Sequence, residues 1–255
     1  MLKVILSLAS IAVLTGCSPQ ALDSLKPLDV SSFNTSVSNN GAISKSNGFR
    51  WGHITKLSKQ MFTGYYEGEM LVGANSTMIQ TSSTDANGNT TIETMNPWNF
   101  TISDERVIEE LKTVMAKQGG YATVSYEQLQ IPGIGMDSDY IITGAYEKTT
   151  KPVVECGNKN VSSGWKSGGF RQGRVVKMSK KGLIVPSFEL TIQQGDSGNN
   201  FHQMSLPNGE LAKCLLDVLA SNTNVTINYN DARMINPQDT TYEITGIIPV
   251  SKFIK

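Results

Sequence analysis

Two histidines, three cysteines and 7% aromatic residues are all that this 255-residue chain offers of the side chains from which most catalytic and metal centres are built. His53 and His202 stand in different halves of the chain, so a Ser-His-Asp or Cys-His arrangement would have to be assembled across the molecule. Each reads instead as a surface strand residue. No HExxH or CxxC spacing and no clustered His/Asp set occurs, which argues against a metal site, and no cofactor is expected. Charge is scarce as well: charged residues make up 17%, with 22 Lys and Arg balancing 22 Asp and Glu. Such a chain has no net field to steer it toward a polyanion. Beyond the first residues, no segment supplies the about 20 apolar positions that a bilayer-spanning helix requires.

What is there begins with Lys3, the apolar run from Val4 to Val13, and then Leu14-Thr15-Gly16-Cys17. A basic start, a short apolar stretch and small residues before a cleavage point describe a secretory signal. Leu14 to Cys17 resembles the lipobox of bacterial lipoproteins; the competing reading is an ordinary signal peptide with a chance cysteine. The resemblance implies that residues 1–16 are removed and that Cys17, carrying acyl chains such as palmitate, anchors the protein to a lipid membrane. Each buried methylene contributes about 0.8 kcal/mol, so several chains hold where one does not. Ser18 stands where an inner-membrane retention signal would carry Asp, so resemblance to Gram-negative lipoproteins implies the outer membrane, facing the periplasm. Cys156 and Cys214 remain as an even pair in an oxidising compartment and are expected to form a disulfide.

Residues 17–45 comprise Cys17 and a Ser-, Asn- and Pro-containing stretch without periodicity, expected to be a flexible tether. Then Ser46-Asn47-Gly48-Phe49-Arg50-Trp51-Gly52 returns as Ser167-Gly168-Gly169-Phe170-Arg171-Gln172-Gly173, and Lys56-Leu57-Ser58-Lys59 as Lys177-Met178-Ser179-Lys180. In the same register Val124-Ser125-Tyr126 answers Ile227-Asn228-Tyr229, and Tyr140-Ile141-Ile142-Thr143-Gly144 answers Tyr242-Glu243-Ile244-Thr245-Gly246. The expectation is one unit written twice, over residues 46–148 and 164–255, with a linker at 149–163.

Within the first unit, Arg50 to Leu57 and Tyr65 to Val72 read as strands, and Trp98, Phe100 and Ile102 alternate as in a third. Ser103-Asp104-Glu105-Arg106 then caps a helix that places Val107, Ile108, Leu111, Val114 and Met115 on one face, and Gly119-Gly120 ends it. Tyr121 to Gln128 and Tyr140 to Tyr146 complete five strands; the second unit repeats the order, with a helix from about Asn208 to Ala220. Five strands with one helix between the third and fourth is the layout of the OB-fold. The chain is therefore predicted to be mainly β, as tandem OB-like five-stranded barrels; an SH3-like barrel, the nearest competitor, would not need the helix. Phe49 to Lys59 followed by Tyr66-Glu67-Gly68-Glu69-Met70 also resembles the start of a small uncharacterised OB-like bacterial domain. The second unit departs from it at Pro186-Ser187-Phe188-Glu189, and the resemblance implies no activity.

Glu67 and Glu69 share one strand face, as an acid/base pair would, yet the second unit keeps only Glu189, which favours a solvated strand edge. Pro132-Gly133-Ile134-Gly135 lies between strands with no helix behind it, so it reads as a turn and not as a phosphate loop. Divided by unit, charge says more: residues 44–150 hold 8 basic against 12 acidic side chains, and residues 151–255 hold 12 against 8. Arg171, Arg174, Lys177, Lys180 and Lys181 gather on the first strand of the second unit, a candidate surface for lipopolysaccharide, a glycan or single-stranded nucleic acid. Nucleic acid is disfavoured because few aromatic platforms accompany them. The leading expectation is a non-enzymatic interaction module that binds another envelope protein.

Overall fold

The computed structural model describes residues 28, 44–73, 80–84, 90–94, 97–117, 119–157, 167–181, 187–195, 200–206, 209–231 and 240–250. Residues 1–16, Cys17 and most of the expected tether lie outside the described residues. The first half of the chain runs β1 (Ser44–Lys59), β2 (Tyr66–Val72), β3 (Gln80–Thr84), β4 (Thr90–Thr94), β5 (Pro97–Ile102), α1 (Glu105–Lys117), β6 (Tyr121–Leu129) and β7 (Tyr140–Tyr146). The second runs β8 (Cys156–Gly157), β9 (Ser167–Lys181), β10 (Ser187–Gln193), β11 (Phe201–Leu206), α2 (Gly209–Ser221), β12 (Asn224–Asp231) and β13 (Tyr242–Pro249).

Two closed rings result. In the first, β1 pairs with β2 and β6, β2 with β5, β6 with β7, and a single parallel bridge from Thr101 to Ile141 joins β5 to β7. In the second, β9 pairs with β10 and β12, β10 with β11, β12 with β13, and Ser205 bridges in parallel to Glu243. With α1 and α2 each between the third and fourth ring strands, these are OB-like barrels, as the strand and helix order predicts. The hairpin of β3 and β4, with Gln80 opposite Thr94, was not expected; it lies between the second and third ring strands of the first barrel.

Closing so small a ring requires one long strand to coil past two neighbours. In β1 the register slips between Ile54 and Lys56, and in β9 a matching slip accompanies Val175 and Lys177. Gly52 and Gly173 occupy corresponding positions just before these slips. A Cβ on Gly52 would sit 2.2 Å from the Leu71 carbonyl oxygen, and one on Gly173 2.5 Å from that of Gln193. The repeated Arg-x-Gly thus serves the coiling of the strand.

Asp104 starts α1: its Oδ1 accepts the Arg106 backbone N–H at 2.8 Å, and its carbonyl accepts that of Ile108. Val107, Ile108, Leu111 and Val114 are buried among Ile54, Met70, Phe100, Ile102, Val124 and Ile142. Met115 departs from the expected core face: beside fully buried Val114 it is 36% exposed, and it lines a surface depression instead of the core. The second core gathers Val175, Met178, Leu190, Ile192, Leu215, Leu219 and Ile227. Cys156 and Cys214 are disulfide-bonded across 58 residues, pinning β8 to α2 while β8 also pairs with Gly246 and Ile247 of β13. Leu28, within the stretch expected to be a tether, packs against this second core.

The two rings share a seam. Residues 46–50 of β1 pair antiparallel with residues 177–181 of β9, Phe49 standing opposite Met178, so the sheets run on from one barrel into the other. Phe49 and Trp51 belong to the core cluster of the second barrel although the chain places them in the first. Gly48 permits the close approach, since a Cβ there would lie 2.1 Å from the Met178 carbonyl oxygen.

Candidate functional site

Inside each barrel an arginine of the long strand is enclosed by rings. The Arg50 guanidinium lies 4.1 Å from the Trp98 ring centroid, 5.0 Å from that of Tyr140 and 5.2 Å from that of Tyr126, and the three rings meet one another edge-on. Arg171 sits 5.5 Å from both Tyr229 and Tyr242, with His202 against Tyr242 at 4.8 Å. His202 and Trp98 hold the same place, second in six-residue strands β11 and β5. The residues that repeat along the sequence, Arg50 with Arg171, Tyr126 with Tyr229 and Tyr140 with Tyr242, are therefore the walls and contents of one stacked cage. Burial raises the Tyr126 hydroxyl pKa while Arg50 opposes the shift; burial, and then the Arg171 charge, lower that of His202.

The five basic residues of β9 are not gathered on one face. Arg171 is stacked in its cage and donates to Gln194 Oε1 at 3.5 Å. Lys180 shares a face with buried Met178 and lies 5.9 Å over the Phe188 ring, whereas alternation along the strand sends Lys177 and Lys181 to the other side. Lys177 and Lys181 also stand in the seam, opposite Arg50 and Ser46. Arg174 lies where β9 passes from β12 to β10, opposite Asn224 and Gln193.

Glu67 and Glu69 do face the same way, but each is held separately. Thr101 Oγ1 donates to both Glu67 oxygens at 2.9 Å, and Thr55 Oγ1 donates to Glu69 Oε1 at 2.9 Å. Desolvation raises the Glu67 pKa, partly offset by the Thr101 hydrogen bond. Glu69 and His53 line an open depression of about 510 Å³ with Ile54, Thr55, Leu71, Met115, Gly119 and Gly120. His53 is half-buried and stacked on Tyr121 at 4.9 Å. Among the described residues no group of three His, Cys, Asp or Glu is placed to hold a metal ion.

The most distinctive surface was not visible in the sequence. The β1–β2 turn and the β6–β7 loop touch at one end of the first barrel: Gln60 Nε2 donates to Asp137 Oδ2 at 2.8 Å, and the Asp137 backbone N–H approaches Glu67 Oε1 at 3.5 Å. Thr63 Oγ1 donates to Gln60 Oε1 at 2.8 Å, and Gln128 Nε2 to Asp139 Oδ2 at 2.8 Å, so both loops are tied at their bases. At the tip Met61 (93%), Phe62 (100%), Ile131 (80%) and Ile134 (101%) are exposed. Pro132 to Gly135 is the turn expected, and it carries Ile134, with Ile131 just before it. The signal that could have found it is an apolar pair inside turn-forming surroundings, Gln60-Met61-Phe62-Thr63-Gly64 and Gln130-Ile131-Pro132.

No protein family matches the chain, and no curated protein matches it. Among solved structures it is similar to a deletion mutant of the single-stranded DNA-binding protein from Thermus aquaticus, at 11% identity, over 81% of this chain and 94% of that one, with a TM-score of 0.20. A likeness at that level carries no argument; the OB-like assignment stands on the strand order and the position of the helices.

Proposed function

We propose that this chain is a membrane-anchored envelope lipoprotein, non-enzymatic, whose first barrel captures a protein partner through the loop tip of Met61, Phe62, Ile131 and Ile134. The observation that carries the reading is the exposure of four large apolar side chains on two mutually braced loops. Large exposed apolar side chains on adjoining loops suit an interaction surface, and the loops joining strands one to two and four to five are those with which OB barrels hold their ligands. The lipobox of Leu14 to Cys17 supports the anchor and the outer-membrane location facing the periplasm. Among the described residues no helix is long and apolar enough to cross a membrane. The side chains nearest to acid/base chemistry, Glu67, Glu69 and His53, are engaged with Thr101, Thr55 and Tyr121, which supports a binding role over catalysis.

The second reading, a binder of anionic polymer such as lipopolysaccharide, a glycan or single-stranded nucleic acid, rests on the net positive charge of residues 151–255. It is weakened by the division of Arg171, Arg174, Lys177, Lys180 and Lys181 between a cage, a seam and opposite faces. The test is affinity capture of the lipidated full chain from native envelopes, comparing wild type with Met61→Ser plus Phe62→Ser, and with Arg171→Glu plus Arg174→Glu. Loss of the captured protein in the first variant alone supports the reading. Retention there, with loss in the second and a steep dependence on salt, replaces it by the polymer reading. A Cys17→Ala variant that remains in the outer-membrane fraction with its leader attached refutes the anchor.

A further inference from the structure

The seam between the barrels joins unlike segments. Residues 46–50 of β1 correspond in the repeat to residues 167–171 of β9, whereas their partners, residues 177–181, correspond to residues 56–60 of the first unit. The contact is thus head-to-tail, and each barrel keeps the half that the other one uses. Residues 167–171 pair with β12 on one side, and among the described residues no strand covers their other side. Residues 56–59 pair with β2 on one side, and the ladders to β6 and to β9 have both ended before them.

The side chains record the same incompleteness. Phe49 and Phe170 hold equivalent positions, but Phe49 is 2% exposed because it faces the second core beside Met178, whereas Phe170 is 60% exposed. Leu57, the counterpart of Met178, is only half-buried at the edge of the first core, where Met178 is fully buried. Gly169 matches Gly48, the residue whose missing side chain lets the strands meet. Arg171 matches Arg50, which stands opposite Lys177 in the seam, and both arginines lie over rings. The two surfaces also belong to units of opposite charge, a net −4 for residues 44–150 and +4 for residues 151–255. One departure is Gln172 in the place of Trp51, which makes the open edge less apolar than the internal one.

We infer that the open edge of the second barrel pairs with the open edge of the first barrel of another copy of this chain, repeating the internal seam between molecules. The register is Gly168 opposite Lys59, Gly169 opposite Ser58, Phe170 opposite Leu57 and Arg171 opposite Lys56, antiparallel as in the seam. Phe170 then covers Leu57 as Phe49 covers Met178. A head-to-tail contact leaves a free edge at both ends of every assembly, so it propagates until it closes into a ring or continues as a filament. The inference does not depend on the partner proposed for the loop tip, which lies on other residues.

Cysteine cross-linking of the full chain in intact cells tests it. Lys59→Cys and Gly168→Cys are both at exposed positions and would face each other in the inferred register. With a short permeant bis-maleimide, the double variant is expected to give a ladder of dimers, trimers and larger species, mixed single variants only dimers, and each single variant alone monomer. Adding Phe170→Glu to the double variant should reduce the ladder at least tenfold. Monomer alone from the double variant overturns the inference, and so does dimer from Gly168→Cys alone, which would mean a two-fold contact. A ladder that survives Phe170→Glu overturns it as well.

Discussion

Arg50 and Trp98 face each other with the guanidinium 4.1 Å from the indole ring centroid. A planar, delocalised cation can stack there and an ammonium cannot. Arg50→Lys should therefore lower the unfolding free energy by about 1 to 2 kcal/mol, and Arg50→Ala by more, since Trp98, Tyr126 and Tyr140 then all lose their contact with the side chain. Arg171→Lys should cost less, because its two rings lie at 5.5 Å and His202 replaces the tryptophan. Urea unfolding followed by circular dichroism checks the order.

His202 gives the second barrel a pH response that the first lacks at the same position. Its pKa lies below the ordinary value of 6.5, through burial and then through the Arg171 charge. Above that value both folded and unfolded chains hold it neutral. As pH falls through about 6.5 the unfolded chain binds a proton that the folded chain refuses, so stability falls on the acid side. Glu67 and Glu127, both raised by burial, act in the opposite sense and add stability as pH drops toward 4.5. Subtracting the pH profile of a His202→Trp variant isolates the histidine, and an NMR titration midpoint for His202 at or above 6.5 would contradict the assignment.

The bridge from Cys156 to Cys214 closes a loop of 58 residues, for which about 2 to 4 kcal/mol is the usual contribution. Reductant, or Cys156→Ser with Cys214→Ser, should lower the melting temperature and loosen the second barrel more than the first, β1 being shared through the seam. Hydrogen exchange resolved by segment separates the two.

Gly48 sets the seam. A side chain there meets backbone, the Met178 carbonyl oxygen at 2.1 Å, and not a movable side-chain end. Gly48→Ala should cost about 1 to 3 kcal/mol, as overpacking does, and should expose Phe49. An increased radius of gyration by small-angle scattering, with red-shifted tryptophan emission from Trp51, is the expected readout.

The barrels were legible because each element carries a local signature: the Asp104 cap, the spacing of Val107, Ile108, Leu111 and Val114, and strands that return in register. The disulfide was legible from the pairing of two leftover cysteines. Repetition also marked Arg50, Tyr126 and Tyr140 without revealing why they recur, since a cage forms only when four strands meet. The cluster of cations on β9 misleads in one dimension, because strand alternation and a shared seam divide what the sequence lists together. The loop tip was hidden for the opposite reason: Phe62 and Ile134 are distant in the chain, and only the fold joins the loops that carry them, through Gln60 to Asp137 and Asp137 to Glu67. The β3–β4 hairpin, rich in Thr and Ser, has no apolar alternation to announce it.

Because β1 begins at Ser44 and by Ser46 is already laddered to β6 on one flank and to β9 on the other, a pull on the preceding chain reaches both bodies within one strand. The hydrogen bonds of both ladders lie across β1, so tension along the strand would shear several together instead of unzipping them singly. The molecule is thus reinforced at the point where a leash would tug.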